Sequence, residues 1–87
     1  MKPVGYQQIT APSTNTALTV PSGASCALIQ AELQNIRWRD DGTAPTTAVG
    51  MQIAAGDSML YVGDLATIQV IQEASTGKVN ITYYATP

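Results

Sequence analysis

Apolar and polar residues alternate along this chain in short runs, and the runs are separated by turn formers. In KVNITYY, Val79, Ile81 and Tyr83 fall on one side of a strand, and Asn80, Thr82 and Tyr84 on the other. In IRWR, Ile36 and Trp38 alternate with Arg37 and Arg39, and in CALIQAEL the odd positions Ala27, Ile29, Ala31 and Leu33 form an apolar face. Pro12, Pro21, Gly23, Gly42, Pro45, Gly50, Gly56, Gly63 and Gly77 punctuate the sequence. Period-two runs between such breakers, rich in Ile, Val, Thr and Tyr, predict strands. Eight are expected, at 6–10, 16–20, 26–33, 35–40, 49–54, 58–63, 66–72 and 78–84. The fold class that follows is all-β: a small single-domain β-sandwich over residues 1–87, jelly-roll-like.

Details of the pattern carry further expectations. The apolar parity switches from odd at Leu33 to even at Ile36, which demands a bulge or bend near Gln34 and Asn35. Trp38 lies on the apolar side of its run and is expected in the core. Tyr83 and Tyr84 must face opposite sides. Asp41-Gly42 and Pro21-Ser22-Gly23 read as turns whose glycines take a left-handed conformation. CALIQAELQNI could pass for a helix in isolation, but it lacks a capping box and runs directly into the strand-like IRWRD.

Composition narrows the function. Only 11% of the residues are charged, against 45% hydrophobic, and the polar remainder is mostly Thr, Ser, Gln and Asn. With four basic residues and a net charge of −2, the chain cannot build the cationic face that nucleic acid or an anionic membrane requires. No apolar run approaches the ~20 residues of a spanning helix. The opening MKPVGYQQIT lacks the apolar core of a secretory signal, so synthesis in the cytoplasm is expected.

Chemistry is constrained just as tightly. There is no His and a single Cys, Cys26, which sits in an apolar stretch and reads as a small buried hydrophobe. Catalytic triads built on His, and the usual zinc sets, are therefore out of reach. Asp40, Asp41 and Thr43 offer oxygens, but without the spacing or closing Glu of a calcium loop. The other carboxylates, Glu32, Asp57, Asp64 and Glu73, suggest no acid–base pair, and no Gly-rich phosphate loop is present. The expectation is a non-enzyme with no catalytic residue, no cofactor and no metal. Arg37, Arg39 and Tyr84 are the candidate interface residues, because Arg and aromatic side chains are favoured anchors where proteins meet.

Four segments together resemble a known kind of protein: Leu18 to Ala24 (LTVPSGA), Arg37 to Thr43 (RWRDDGT), Gly50 to Ser58 (GMQIAAGDS) and Val79 to Ala85 (VNITYYA). Nearly the whole chain is similar to small virion proteins encoded among the structural genes of tailed bacteriophages, above all head decoration or cement proteins. The resemblance implies a structural protein on the capsid surface of the virion, made in the host cytoplasm. Its partner would be the major capsid protein, and it would form a homo-oligomer, a trimer or a dimer. The alternatives are a carbohydrate- or receptor-binding module of a tail fibre, or a small head–tail connector component.

Overall fold

A computed structural model describes residues 1–86. Eight strands form in the order the sequence pattern predicts: β1 (Lys2–Thr10), β2 (Thr16–Ala17), β3 (Cys26–Glu32), β4 (Ile36–Arg39), β5 (Met51–Ile53), β6 (Ser58–Val62), β7 (Gln69–Gln72) and β8 (Lys78–Ala85). They make two four-stranded sheets, a front sheet β1-β8-β3-β6 and a back sheet β2-β7-β4-β5, with antiparallel pairing throughout. That interleaving is the jelly-roll order, in which successive strands, β4 and β5 excepted, cross between two packed sheets.

The core lies between the sheets. From the front sheet come Ile9, Ala27, Ile29, Ala31, Val79, Ile81 and Tyr83; from the back sheet come Ile36, Ile53 and Val70. Leu65 and Ile68 join them from the β6–β7 connection. These are the inward positions of period-two runs, so the alternation that defines each strand also defines the core. Cys26 is free and fully buried. Its Sγ lies 3.1 Å from Met1 Sδ, and that contact seals it on the outer side of the front sheet.

Several boundaries differ from expectation for identifiable reasons. β1 begins at Lys2, four positions before the sequence estimate, because Pro3 pairs with Tyr84 and a bulge between Pro3 and Gly5 restores the register. Proline is tolerated there because β1 is an edge strand. The 16–20 run keeps only Thr16 and Ala17 in the ladder. Beyond them the chain leaves the back sheet, with Leu18 and Val20 still packed on the core. The start of the 66–72 run is a single 3₁₀ turn, Leu65–Thr67, capped by the Asp64 side chain.

The parity switch after β3 is the expected bend, at Leu33 and Gln34, and it carries the chain from one sheet to the other instead of bulging within one strand. β3 belongs to the front sheet and β4 to the back sheet. Leu33 turns the corner with φ +72° and is 62% exposed, so it leaves the apolar face to which the alternation assigned it. Asn35 holds the corner. Its side-chain oxygen accepts from Ala55 N–H at 2.9 Å, and its carbonyl accepts from Glu73 N–H at 3.0 Å. Leucine is strained at a left-handed position, whereas glycine is not. Leu33→Gly should therefore stabilise the protein by about 0.5–1 kcal/mol in urea unfolding. A loss of stability would mean that the exposed side chain contributes packing after all.

Candidate functional site

Among the described residues no three His, Cys, Asp or Glu side chains gather in a way that would hold a metal. The carboxylates of the RWRDDGT turn are already engaged. Asp41 accepts from Arg39 Nε at 3.0 Å and from Arg39 Nη2 at 2.5 Å, while Asp40 accepts the Tyr61 hydroxyl at 2.6 Å. The hydrogen bond from Arg39 holds the Asp41 carboxyl below the usual carboxylate range, and the bond to Asp40 pushes the Tyr61 hydroxyl up. The turn is thus a closed hydrogen-bonded unit. Gly42 has φ +85°, the left-handed conformation expected of it.

Arg37 forms the second ion pair of the back sheet. Its Nε lies 2.6 Å from Glu73 Oε2, and its Nη1 donates to Gly50 O at 3.0 Å. Gln52 also donates to Glu73, at 2.6 Å, and with Arg37 and Asn35 it lowers the Glu73 pKa against the opposing effect of burial. Arg37 and Arg39 share the outer face of β4, as their spacing requires. Tyr84 is on the outer face of the front sheet, across the sandwich from them. The three candidate interface residues therefore do not form one surface, and both arginines are committed to partners within the chain.

Trp38 departs from expectation. It is half-buried at the margin of the core, where its ring meets Tyr61 edge-on at a centroid distance of 5.7 Å. Its neighbour across the ladder, Met51, is 62% exposed, so the inner layer opens to solvent at this end of β4 and β5. Trp38→Ala should cost about 2 kcal/mol in chemical denaturation, below the ~3–5 of a fully buried aromatic ring. A loss at the top of that range would place the ring in the core proper.

The surface that stands out is the outer face of the front sheet. Ladder pairing sets its rows: Thr10, Lys78 and Glu32; Gln8, Asn80, Gln30 and Ser58; Tyr6, Thr82, Leu28 and Leu60; Pro3, Tyr84, Cys26 and Val62. At one end it is polar and pre-ordered around Asn80. The Asn80 carbonyl oxygen accepts from the Tyr6 hydroxyl at 2.7 Å and from Gln8 Nε2 at 2.9 Å; its amide donates to Gln30 at 3.1 Å and to Glu32 at 2.8 Å. At the other end it is apolar, with Leu28, Leu60 and Val62 exposed by 38%, 52% and 72%. Met1, 62% exposed, adjoins them and helps line a shallow depression of about 320 Å³ with Lys2, Ala85 and Thr86.

The sequence pattern alone does not mark this apolar end as a surface. The signal was present, because Leu28, Leu60 and Val62 occupy outward positions of strands whose inward positions are also apolar. Such runs are read most easily as strands buried on both sides, and the exposure of one side became visible only with the sheet order. Comparison with protein-family models, with curated protein sequences and with solved structures gives no match to this chain.

Proposed function

We propose that this protein is a structural component of a tailed-phage virion, a decoration or cement protein. It binds the major capsid protein on the outside of the head and stabilises the shell. The observation that carries the reading is the outer face of the front sheet. Apart from Lys78 and Glu32, which pair with each other in the ladder at one end, its rows from Thr10 to Val62 carry no charge. Uncharged amide, hydroxyl and aliphatic groups are far less costly to remove from water than ions. The bonds around Asn80 hold several of these side chains in place before docking, which reduces the entropy lost on binding. A neutral surface whose side chains are ordered before docking suits adhesion to a protein lattice. The four sequence segments that resemble decoration proteins point the same way.

A glycan- or receptor-binding tail-fibre module would want a platform of aromatic rings. The Tyr6 hydroxyl is bonded to Asn80, which draws its ring towards the polar end and away from Tyr84. Trp38 and Tyr61 meet edge-on and not as a flat platform. The test is to heat undecorated, expanded phage heads with and without the purified protein and follow release of the packaged DNA. The protein should raise the release temperature and bind nothing on a glycan array. Unchanged head stability together with a glycan hit would replace this reading with the tail-fibre one.

A further inference from the structure

The four sheet edges are not equally protected. β2 has two residues and β5 three, too short to template another strand. β1 carries Lys2, Pro3 and a bulge, all within its first four residues. β6 has five residues, SMLYV, with no charge, no proline and an unbroken register against β3. Two of its outward side chains, Leu60 and Val62, are the exposed apolar groups described above. An uncharged, regular edge beside an apolar patch invites a strand from another chain.

We infer that β6 of one copy docks on β1 of the next, so that the front sheet continues head to tail from copy to copy. Three features select this occupant. Direction is the first: β1, β8, β3 and β6 alternate in sense, so β1 of a following copy runs antiparallel to β6, as a continuing sheet requires. Level is the second. The ladder places Tyr6 in the same row as Leu60, and Gln8 in the same row as Ser58. A sideways step by one molecule therefore sets the exposed Tyr6 of the next copy against Leu60, and Pro3 of the next copy against Val62. From Gly5 to Thr10 the β1 register is unbroken. The crossing segment meets the inward residues Gln7, through Thr19, and Gly5, through Pro21, while Tyr6 and Gln8 are exposed.

Charge is the third feature. Both arginines are in ion pairs, and Lys78, inside the sheet on β8, lies across the ladder from Glu32. Lys2 is the cation on the β1 edge and has no carboxylate partner among the described residues, while Asp57 and Asp64 flank β6. Asp64 lies just beyond Val62, at the end of the sheet where Lys2 sits, so the head-to-tail step brings opposite charges to one end. Pairing β6 with β6 about a two-fold axis through Leu60 would instead bring Asp57 of each copy beside Asp64 of the other, and like charges across strands are unfavourable. A heterologous contact of this kind closes a ring when its rotation permits and otherwise extends as a filament. It gives a geometry to the homo-oligomer that the sequence resemblance implies and does not depend on capsid binding.

A five-residue strand spans only ~17 Å, so the contact belongs to the small, weak class and must be sought at high protein concentration. The test uses the purified full chain, without heads, in sedimentation equilibrium up to about 1 mM, where contacts of only ~4 kcal/mol still register. The wild type should gain mass with concentration. Leu60→Lys and Tyr6→Lys should each remain monomeric alone. An equimolar mixture should recover a species of twice the chain mass and nothing larger, because each variant keeps the edge that the other has lost. Val62→Lys and Gln8→Lys, also at exposed positions, replace either variant that loses the wild-type circular dichroism spectrum. A strictly monomeric wild type overturns the inference. So does association that survives Tyr6→Lys, which would indicate β6–β6 pairing, and so does a mixture that stays monomeric.

Discussion

Tyr83→Ala should remove about 4 kcal/mol of stability, the largest loss expected from any single truncation in this chain. Tyr83 is 1% exposed and is the bulkiest fully buried side chain. Its ring lies beneath Gly5, at the β1 bulge, where a Cβ would come within 3.8 Å of Cδ2. Its hydroxyl donates to Gln7 Oε1 at 2.7 Å, and that oxygen also accepts from Thr19 N–H at 3.0 Å. One side chain thus joins β8, β1 and the segment that crosses between the sheets. Alanine would leave a cavity under the edge strand, and a domain of this size has only some 5–10 kcal/mol to lose. Tyr83→Phe should cost only about 1 kcal/mol, because Gln7 Oε1 keeps its second donor.

The same residue sets an alkaline limit. Burial pushes the Tyr83 hydroxyl up to about 12, whereas an unfolded tyrosine titrates near ~10. Between those values the unfolded chain gives up its proton and the folded chain does not. Stability therefore falls as pH rises from about 10 to 12, and is unaffected by this group below that window. Tyr83→Phe should flatten that part of the melting curve against pH. A Tyr83→Ala variant that melts with the wild type would show that the sandwich does not depend on this ring.

Gly50→Val should cost about 3 kcal/mol, well above the same change at Gly42. Gly50 has φ +141°, a region that side chains avoid, and its Cβ would lie 3.1 Å from the Trp38 carbonyl oxygen and 3.2 Å from Pro45 Cβ. Its own carbonyl accepts from Arg37. Backbone strain and overpacking each contribute about 1–3 kcal/mol. Gly42 is also left-handed but has nothing within 4 Å of its Cβ position, so Gly42→Val carries strain alone, about 1–2 kcal/mol. Urea unfolding of the two variants side by side checks the ranking. Equal losses would mean that the loop around Gly50 relaxes at little cost.

These two glycines show what could be read from the chain and what could not. Asp41-Gly42 is a local signal, since the turn needs a positive φ and two adjacent residues announce it. Gly50 matters because β5 passes close to the backbone of β4, a contact between segments twelve residues apart that no local pattern encodes. The same division runs through the fold. Val79, Ile81 and Tyr83 were legible as an inward row because alternation within one strand determines them. Alternation puts Leu33 on the inner face, but the chain changes sheets there, so the parity of β3 ends before its apolar run does. Alternation also puts Trp38 in the core, but its burial depends on Met51, which is exposed. The ion pair of Arg37 with Glu73 joins residues that are neighbours only through the order of the back sheet. The apolar end of the front sheet was hidden for the same reason: a strand apolar on both sides reads alike whether one side is covered or bare.

Quantitative co-sedimentation tests the proposed role most directly. Purified protein is titrated onto undecorated, expanded heads of a tailed phage, the heads are pelleted, and the bound copies per head are counted. The expected result is saturation at a fixed copy number that matches a set of equivalent positions on the icosahedral shell, with binding lost in a variant whose neutral front-sheet face carries a new charge, such as Thr82→Lys. Heads that pellet without the protein at every concentration would contradict the proposal.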